Sequence, residues 1–127
     1  MVIIMNVIYK DESYQIIGIC MEIHNYFGHG FSEIVYKDAL ELEFRKVGMF
    51  YEREKEYEVV YKGIVLPHKF YADFVIDEKI ILEIKGKNHI TEIDVSQAIN
   101  YLKVSENKLA LIVNFGESKL NYKRIVV

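Results

Sequence analysis

Two apolar, alternating runs in the middle of the chain, 69–76 and 79–85, meet at the short polar stretch Asp77-Glu78-Lys79. Side chains along a strand alternate between faces. Phe70, Ala72, Phe74 and Ile76 therefore share one face of the first run, and Tyr71, Asp73 and Val75 the other. In the second run Ile80, Leu82 and Ile84 oppose Ile81, Glu83 and Lys85. A slip of one residue would mix these sets, so the pattern selects one hairpin register. It pairs Ile76 with Ile80, Val75 with Ile81, Phe74 with Leu82 and Ala72 with Ile84. Asp73 then falls opposite Glu83, and Tyr71 opposite Lys85, around a three-residue loop of a common length. Carboxylates directly opposite each other repel. A chain that places them so needs a cation, such as a divalent metal, or a proton shared between them. The plain alternative is a solvent-facing hairpin in which Lys85 partners the acids.

The rest of the chain is consistent with one folding unit over residues 1–127, with a core at about 14–126. At 51% hydrophobic residues it can bury a core rather than stay disordered. No repeat, low-complexity tract or proline-rich linker divides it, and Pro67 is the only proline. A net charge of −3 argues against a strongly basic nucleic-acid coat, though not against a local basic rim. Cys20 is the only cysteine, which excludes an internal disulfide and any multi-cysteine metal site. The opening stretch 1–9 is apolar, yet too short to span a bilayer and without the marks of a signal peptide. Residues 1–10 are expected to add an edge strand or a dimer contact, and the protein to be cytoplasmic, with no membrane partner.

Helical spacing of Ile16, Ile17, Ile19, Cys20, Ile23, Tyr26 and Phe27 predicts a helix over 14–27, ended by Gly28 and Gly30. A second helix is expected over 32–47, closed by Gly48. Strands follow near 54–61, 65–76 and 80–85, with Lys62-Gly63 as a turn. A third helix covers 92–105, then a buried strand 109–113 and a last one near 123–127. The order α, α, β, β, β, α, β, β predicts an α/β fold with a mixed central sheet flanked by helices.

Asp73, followed at ten residues by Glu83-Ile84-Lys85, resembles the signature of the PD-(D/E)xK nuclease superfamily. That resemblance implies a restriction-endonuclease-like core, αβββαβ. The chain is most similar to the small GxxExxY family within it. Gly30-Phe31-Ser32-Glu33-Ile34-Val35-Tyr36 matches the name motif. Tyr71-Ala72-Asp73, Gln97 before Asn100-Tyr101-Leu102, and Asn114-Phe115-Gly116 are similar to further family features. Tyr71 departs from the arginine that many members carry there, which removes a phosphate contact.

The resemblance implies a nuclease-type site whose cofactor is Mg²⁺ or Mn²⁺. A hard dication acidifies a bound water and neutralises charge building on a phosphoryl group. Asp73 and Glu83, with the backbone carbonyl of Ile84, would form its ligand set, and Glu33 is the third acid, direct or through a water. Lys85 would orient the attacking water or stabilise the phosphoryl charge, and Gln97 would hold the water or a carboxylate. Each has a plainer reading. Glu33 suits a helix N-terminus electrostatically, Gln97 is an ordinary polar helix residue, and Tyr36 a packing residue. Gly30 is expected to supply a backbone conformation open to glycine alone. No HExxH pair, Walker loop, GxGxxG or GxSxG elbow occurs, so zinc-hydrolase, nucleotide-driven and serine-hydrolase chemistry have no sequence support. Lys87, Lys103, Lys108, Lys119, Lys123 and Arg124 form either a phosphate-binding rim or ordinary surface. The expectation is a metal-dependent phosphodiesterase or endonuclease acting on DNA rather than RNA, alone or as a homodimer. The competing expectation is a non-catalytic module that keeps the fold and binds nucleic acid or protein.

Overall fold

The computed structural model describes residues 8–127. The expectation for the apolar opening therefore lies largely outside the described residues. Two helices come first, α1 (Lys10–Phe27) and α2 (Glu33–Val47). α1 begins four residues before the expected start, at Lys10, because its first turn is polar and carries no apolar period. Asp11 and Glu12 suit that turn through the helix dipole. Its buried stripe is Ser13, Ile16, Ile17, Ile19, Cys20, Ile23 and His24. Gly28, at φ 70°, ends the helix by donating its N–H to the His24 carbonyl, as Gly48 ends α2 at φ 71°.

The strands are β1 (Tyr51–Tyr57), β2 (Val60–Tyr61), β3 (Ile64–Val65), β4 (Phe70–Ile76), β5 (Ile80–Lys85), β6 (Leu109–Asn114) and β7 (Asn121–Val126). Helix α3 (Glu92–Ser105) links β5 to β6. It starts with a reciprocal capping box, Thr91 Oγ1 accepting from the Asp94 N–H while Asp94 accepts from the Thr91 N–H. Five strands form one sheet in the order β1-β4-β5-β6-β7, parallel only between β5 and β6. The parallel pair is the consequence of the helical crossover. The segment expected as one strand over 65–76 is split around Pro67. Its start pairs with β2 in a separate ribbon turned by Lys62 and Gly63, both at positive φ.

Helices α1 and α2 pack on one face with Phe74, Ile76, Ile80, Leu82, Ile84, Leu109, Leu111 and Val113. α3 packs on the other with Ala72, Val75, Ile81, Ala110 and Ile112. Central strands buried on both faces read as continuous apolar runs, and β6 is buried along its whole length. No helix among the described residues is long and apolar enough to cross a membrane.

One expectation about faces is corrected. Phe70 and Ala72 lie with α3, whereas Phe74 and Ile76 lie with α1 and α2. The alternation flips at Asp73. β1 flips at the residue across from it: Tyr51 packs with the first cluster and Tyr57 with the second. The flip has a local cause. The β1–β4 ladder skips Glu54 and Asp73, and Glu54 takes φ 53°.

Candidate metal centre

The hairpin keeps the expected register where its ladder forms, Ile76 with Ile80, Val75 with Ile81 and Phe74 with Leu82. Beyond Phe74 the strands part. The expected ladder pairs Asp73–Glu83, Ala72–Ile84 and Tyr71–Lys85 do not form; Tyr71 instead donates its hydroxyl to Glu56 at 3.0 Å. From this fork β4 continues along β1, and β5 continues along β6. A backbone N–H at a fork needs a substitute acceptor. Asp73 supplies it, its Oδ2 accepting from the Ile84 N–H at 2.8 Å. A strand side chain thus replaces a strand carbonyl, and this fixes Asp73 beside Glu83.

Glu83 is buried, 5% exposed, and its Oε1 has no hydrogen-bond partner. Burial, and then the neighbouring Asp73 carboxylate, push its carboxyl up to about 9, with the Lys85 ammonium pulling the other way. Its environment therefore favours the protonated carboxyl over the carboxylate. Lys85, on the same strand, is mostly buried, with Nζ 4.0 Å from Asp94 on α3. Asp94 is itself buried and held by both carboxylate oxygens to Lys87 Nζ at 2.9 Å. Burial drives the Asp94 carboxyl up, but Thr91 and Lys87 outweigh it and leave it below the usual range. Lys87 is therefore committed to α3 rather than to a phosphate rim. Arg124 is likewise committed, donating to Ser13 and to the Ile8 carbonyl.

Glu33 reaches β5 from the first turn of α2, but does not join the acid pair. Its Oε2 accepts from the Gly86 N–H at 3.1 Å, one residue past Lys85. No group of three His, Cys, Asp or Glu side chains able to hold a metal forms among the described residues. Gln97 lies exposed on α3, with no side-chain hydrogen bond to the acids among the described residues. His89 is exposed as well.

The motif residues around Glu33 have structural work. Gly30 takes φ 111°, a region where side chains are strained. Tyr36 is fully buried, stacks on Phe115 at 4.4 Å, donates to the Gly28 carbonyl at 2.7 Å and accepts from the Phe31 N–H at 3.3 Å. Tyr36→Phe leaves the Gly28 carbonyl without that donor, and a loss of about 1–3 kcal/mol in urea unfolding is expected. An unchanged midpoint would show that water replaces the hydroxyl.

Asn114 holds the turn after β5 by both of its amide atoms. Its Oδ1 accepts from the N–H groups of Lys87 and Gly116, both at 3.1 Å, and its Nδ2 donates to the Lys87 carbonyl at 2.9 Å. The Phe115 N–H donates to the Lys85 carbonyl at 2.8 Å. The stretch Asn114-Phe115-Gly116 thus positions the backbone that carries Lys85.

Two residues beside the acids carry no site role in the sequence reading, although Tyr101 falls in a stretch that resembles a family feature. Lys37, one turn past Glu33 on α2, sets its Nζ 2.8 Å from Asp73 Oδ1 and 3.2 Å from Glu54 Oε1. Its spacing from Glu33 was the available signal. Tyr101 on α3 feels the acids: burial, then the charges of Glu83 and Asp73, raise its hydroxyl. It stacks on Phe70 at 4.3 Å, and Phe70 on Tyr57 at 5.0 Å, walling the α3 side. A groove of about 350 Å³ between α1 and β6–β7 is lined by Tyr14, Ile17, Met21, Leu111 and Tyr122, and none of the acids borders it.

A divalent ion suits this donor set. Mg²⁺ is held by one or two carboxylates and keeps several waters. The Asp73 and Glu83 carboxylates are donors of that kind, and the orphaned Glu83 Oε1 is an acceptor in want of a cation or proton.

Comparison with known proteins agrees with the fold. A family model described as the PD-(D/E)XK nuclease superfamily matches residues 10–125. The crystal structure of SSO0001 is similar in fold, with a TM-score of 0.54 and 22% identity over 72% of this chain. The likeness covers 48% of that protein, so this chain spans about half its length. No curated protein matches the sequence.

Proposed function

The chain belongs to the PD-(D/E)XK nuclease superfamily, and from that premise we propose that it is a metal-dependent phosphodiesterase cutting nucleic acid, DNA in preference to RNA. Superfamily members generally use divalent metal ions. We assign the chain to the GxxExxY group within it on Gly30, Glu33 and Tyr36. One observation carries the site reading: Glu83 Oε1 is buried without a partner beside a second carboxylate. Such a group costs free energy on the order of 1–3 kcal/mol unless something compensates it.

Asp73, Glu83 and the Ile84 carbonyl would hold the ion, Mg²⁺ or Mn²⁺, Glu83 as the carboxylate. The ion would supply a Lewis acid and lower the pKa of a coordinated water. Lys85, held near Asp94 at the end of β5, sets a positive charge beside the phosphoryl oxygens. Asp73 keeps the fork open by holding the Ile84 N–H. Tyr101 and Phe70 exclude water from the α3 side. Glu33 acts through Gly86 by fixing the turn after Lys85, and Gln97 faces solvent where a water can be held.

The test is a Mn²⁺ titration of metal-stripped protein, followed by thermal shift. Wild type is expected to gain stability with Mn²⁺, and Asp73→Ala to show none of that gain. Equal stabilisation of both proteins places the ion elsewhere and overturns the site. Cleavage assays on single-stranded, duplex, flapped and branched DNA then test the reaction. The absence of a three-ligand cluster among the described residues favours the second reading, a non-catalytic binding module. Metal bound at Asp73 without cleavage of any substrate would establish it.

A further inference from the structure

We infer that Lys37 is the resident counter-cation of the acid pair, and that it sets metal affinity by competing for Asp73. This inference rests on the metal-site reading above. Asp73 has both oxygens engaged, Oδ2 by the Ile84 N–H and Oδ1 by Lys37 Nζ, each at 2.8 Å. An incoming ion must therefore share an oxygen that already accepts a donor, next to a fixed positive charge. The ion pair is sheltered, with the Lys37 and Asp73 side chains 15% and 14% exposed. Burial works against the Lys37 charge, but Asp73 and Glu54 outweigh it, so the ammonium persists.

Glu54 is the second seat. Its Oε1 lies 3.2 Å from the same Nζ, and its side chain is half exposed. It occupies that place through a left-handed backbone, φ 53°, where the β1–β4 ladder skips it and Asp73 together. The geometry agrees with an exchange. Lys37 Nζ contacts Asp73 and Glu54 at once, so a dication that takes Asp73 Oδ1 leaves the ammonium a carboxylate already within its reach. The orphaned Glu83 Oε1 marks the point where the ion adds what Lys37 does not reach.

Mn²⁺ affinity of the full chain, measured by calorimetry after metal stripping, tests this. Lys37→Met is expected to bind Mn²⁺ about tenfold more tightly than wild type, since a like charge near the ion is removed. Glu54→Gln is expected to bind about threefold more weakly, because Lys37 is left wholly on Asp73. Lys37→Arg keeps the charge and returns the affinity toward wild type. Lys69→Met, which breaks the pairing with Glu56, should leave it within about twofold. Lys37→Met and Glu54→Gln break the same ion-pair triad, so a merely structural role would shift affinity the same way in both. Opposite shifts support the competition. Equal or weaker binding by folded Lys37→Met overturns it, as does tighter binding by Glu54→Gln, which decides alone if Lys37→Met does not fold. If wild type binds no Mn²⁺, the site reading fails with it. If wild type binds and Asp73→Ala does not, only the role of Lys37 is at stake.

Discussion

Glu83→Gln is expected to yield a protein more stable than wild type at alkaline pH and much weaker in Mn²⁺ binding there. Folding lifts the Glu83 carboxyl from its ordinary 4.5 to about 9, by burial and by the charge of Asp73. Between those values the folded state holds a proton that the unfolded chain has released. Stability is therefore fully present below about pH 4.5 and is lost as pH rises toward 9. Each pH unit inside the window removes on the order of 1 kcal/mol. Glutamine fills nearly the same volume as the protonated acid and cannot ionise. The two proteins should melt alike near pH 5 and separate by several degrees at pH 8.5. Metal affinity follows the same linkage with the opposite benefit. The ligand is the carboxylate, so binding expels a proton, and wild-type Mn²⁺ affinity should rise about tenfold per pH unit below the Glu83 pKa. Glu83→Gln should lose at least about 100-fold near pH 9, since a ligand itself is removed, and the gap should narrow as pH falls. Melting curves and calorimetry from pH 5 to 9 check both halves. A pH-independent wild-type affinity would sink the reading of Glu83 as a protonated ligand.

The hairpin was legible because one apolar face per strand leaves a single register, and Phe74–Leu82, Val75–Ile81 and Ile76–Ile80 follow it. The same pattern was blind to the flip at Asp73. Phe70, Ala72, Phe74 and Ile76 are all apolar, and both faces of the sheet are buried, so alternation carries no mark of a side change there. The fork that results, with Asp73 capping the Ile84 N–H, is a tertiary bargain that no local rule announces. Lys37 was missed for a different reason. A lysine in mid-helix reads as a solvated face until Glu54 leaves its strand conformation to meet it. Glu33 shows the limit of motif reading: the helix delivers it to β5, yet its oxygen goes to a backbone N–H rather than to the acids.

Gly116→Ala is expected to be the most crowded of the glycine-to-alanine changes, although Gly116 does not need a positive φ. A Cβ at Gly116 falls on the backbone N and O of Lys87, and 2.7 Å from the backbone carbon of Gly86. Backbone cannot rotate away as a side chain can, so either the turn after β5 or the turn after β6 must move. Overpacking of this kind costs about 1–3 kcal/mol, and the rigid neighbours place this case at or above the upper end. The displacement also reaches the candidate site, because the Phe115 N–H holds the Lys85 carbonyl and Glu33 holds the Gly86 N–H. Gly86→Ala is the informative contrast. Its added Cβ meets first the Glu33 Cγ at 3.3 Å, part of a flexible side chain. Gly86→Ala should thus keep most of the stability while loosening Glu33, and Gly116→Ala should lose stability first. Urea unfolding ranks the two, and Mn²⁺ affinity measured on the folded fraction separates a shifted turn from a lost ligand. Were Gly116→Ala to unfold at the wild-type midpoint, the close approach of these two turns would not be what positions Lys85.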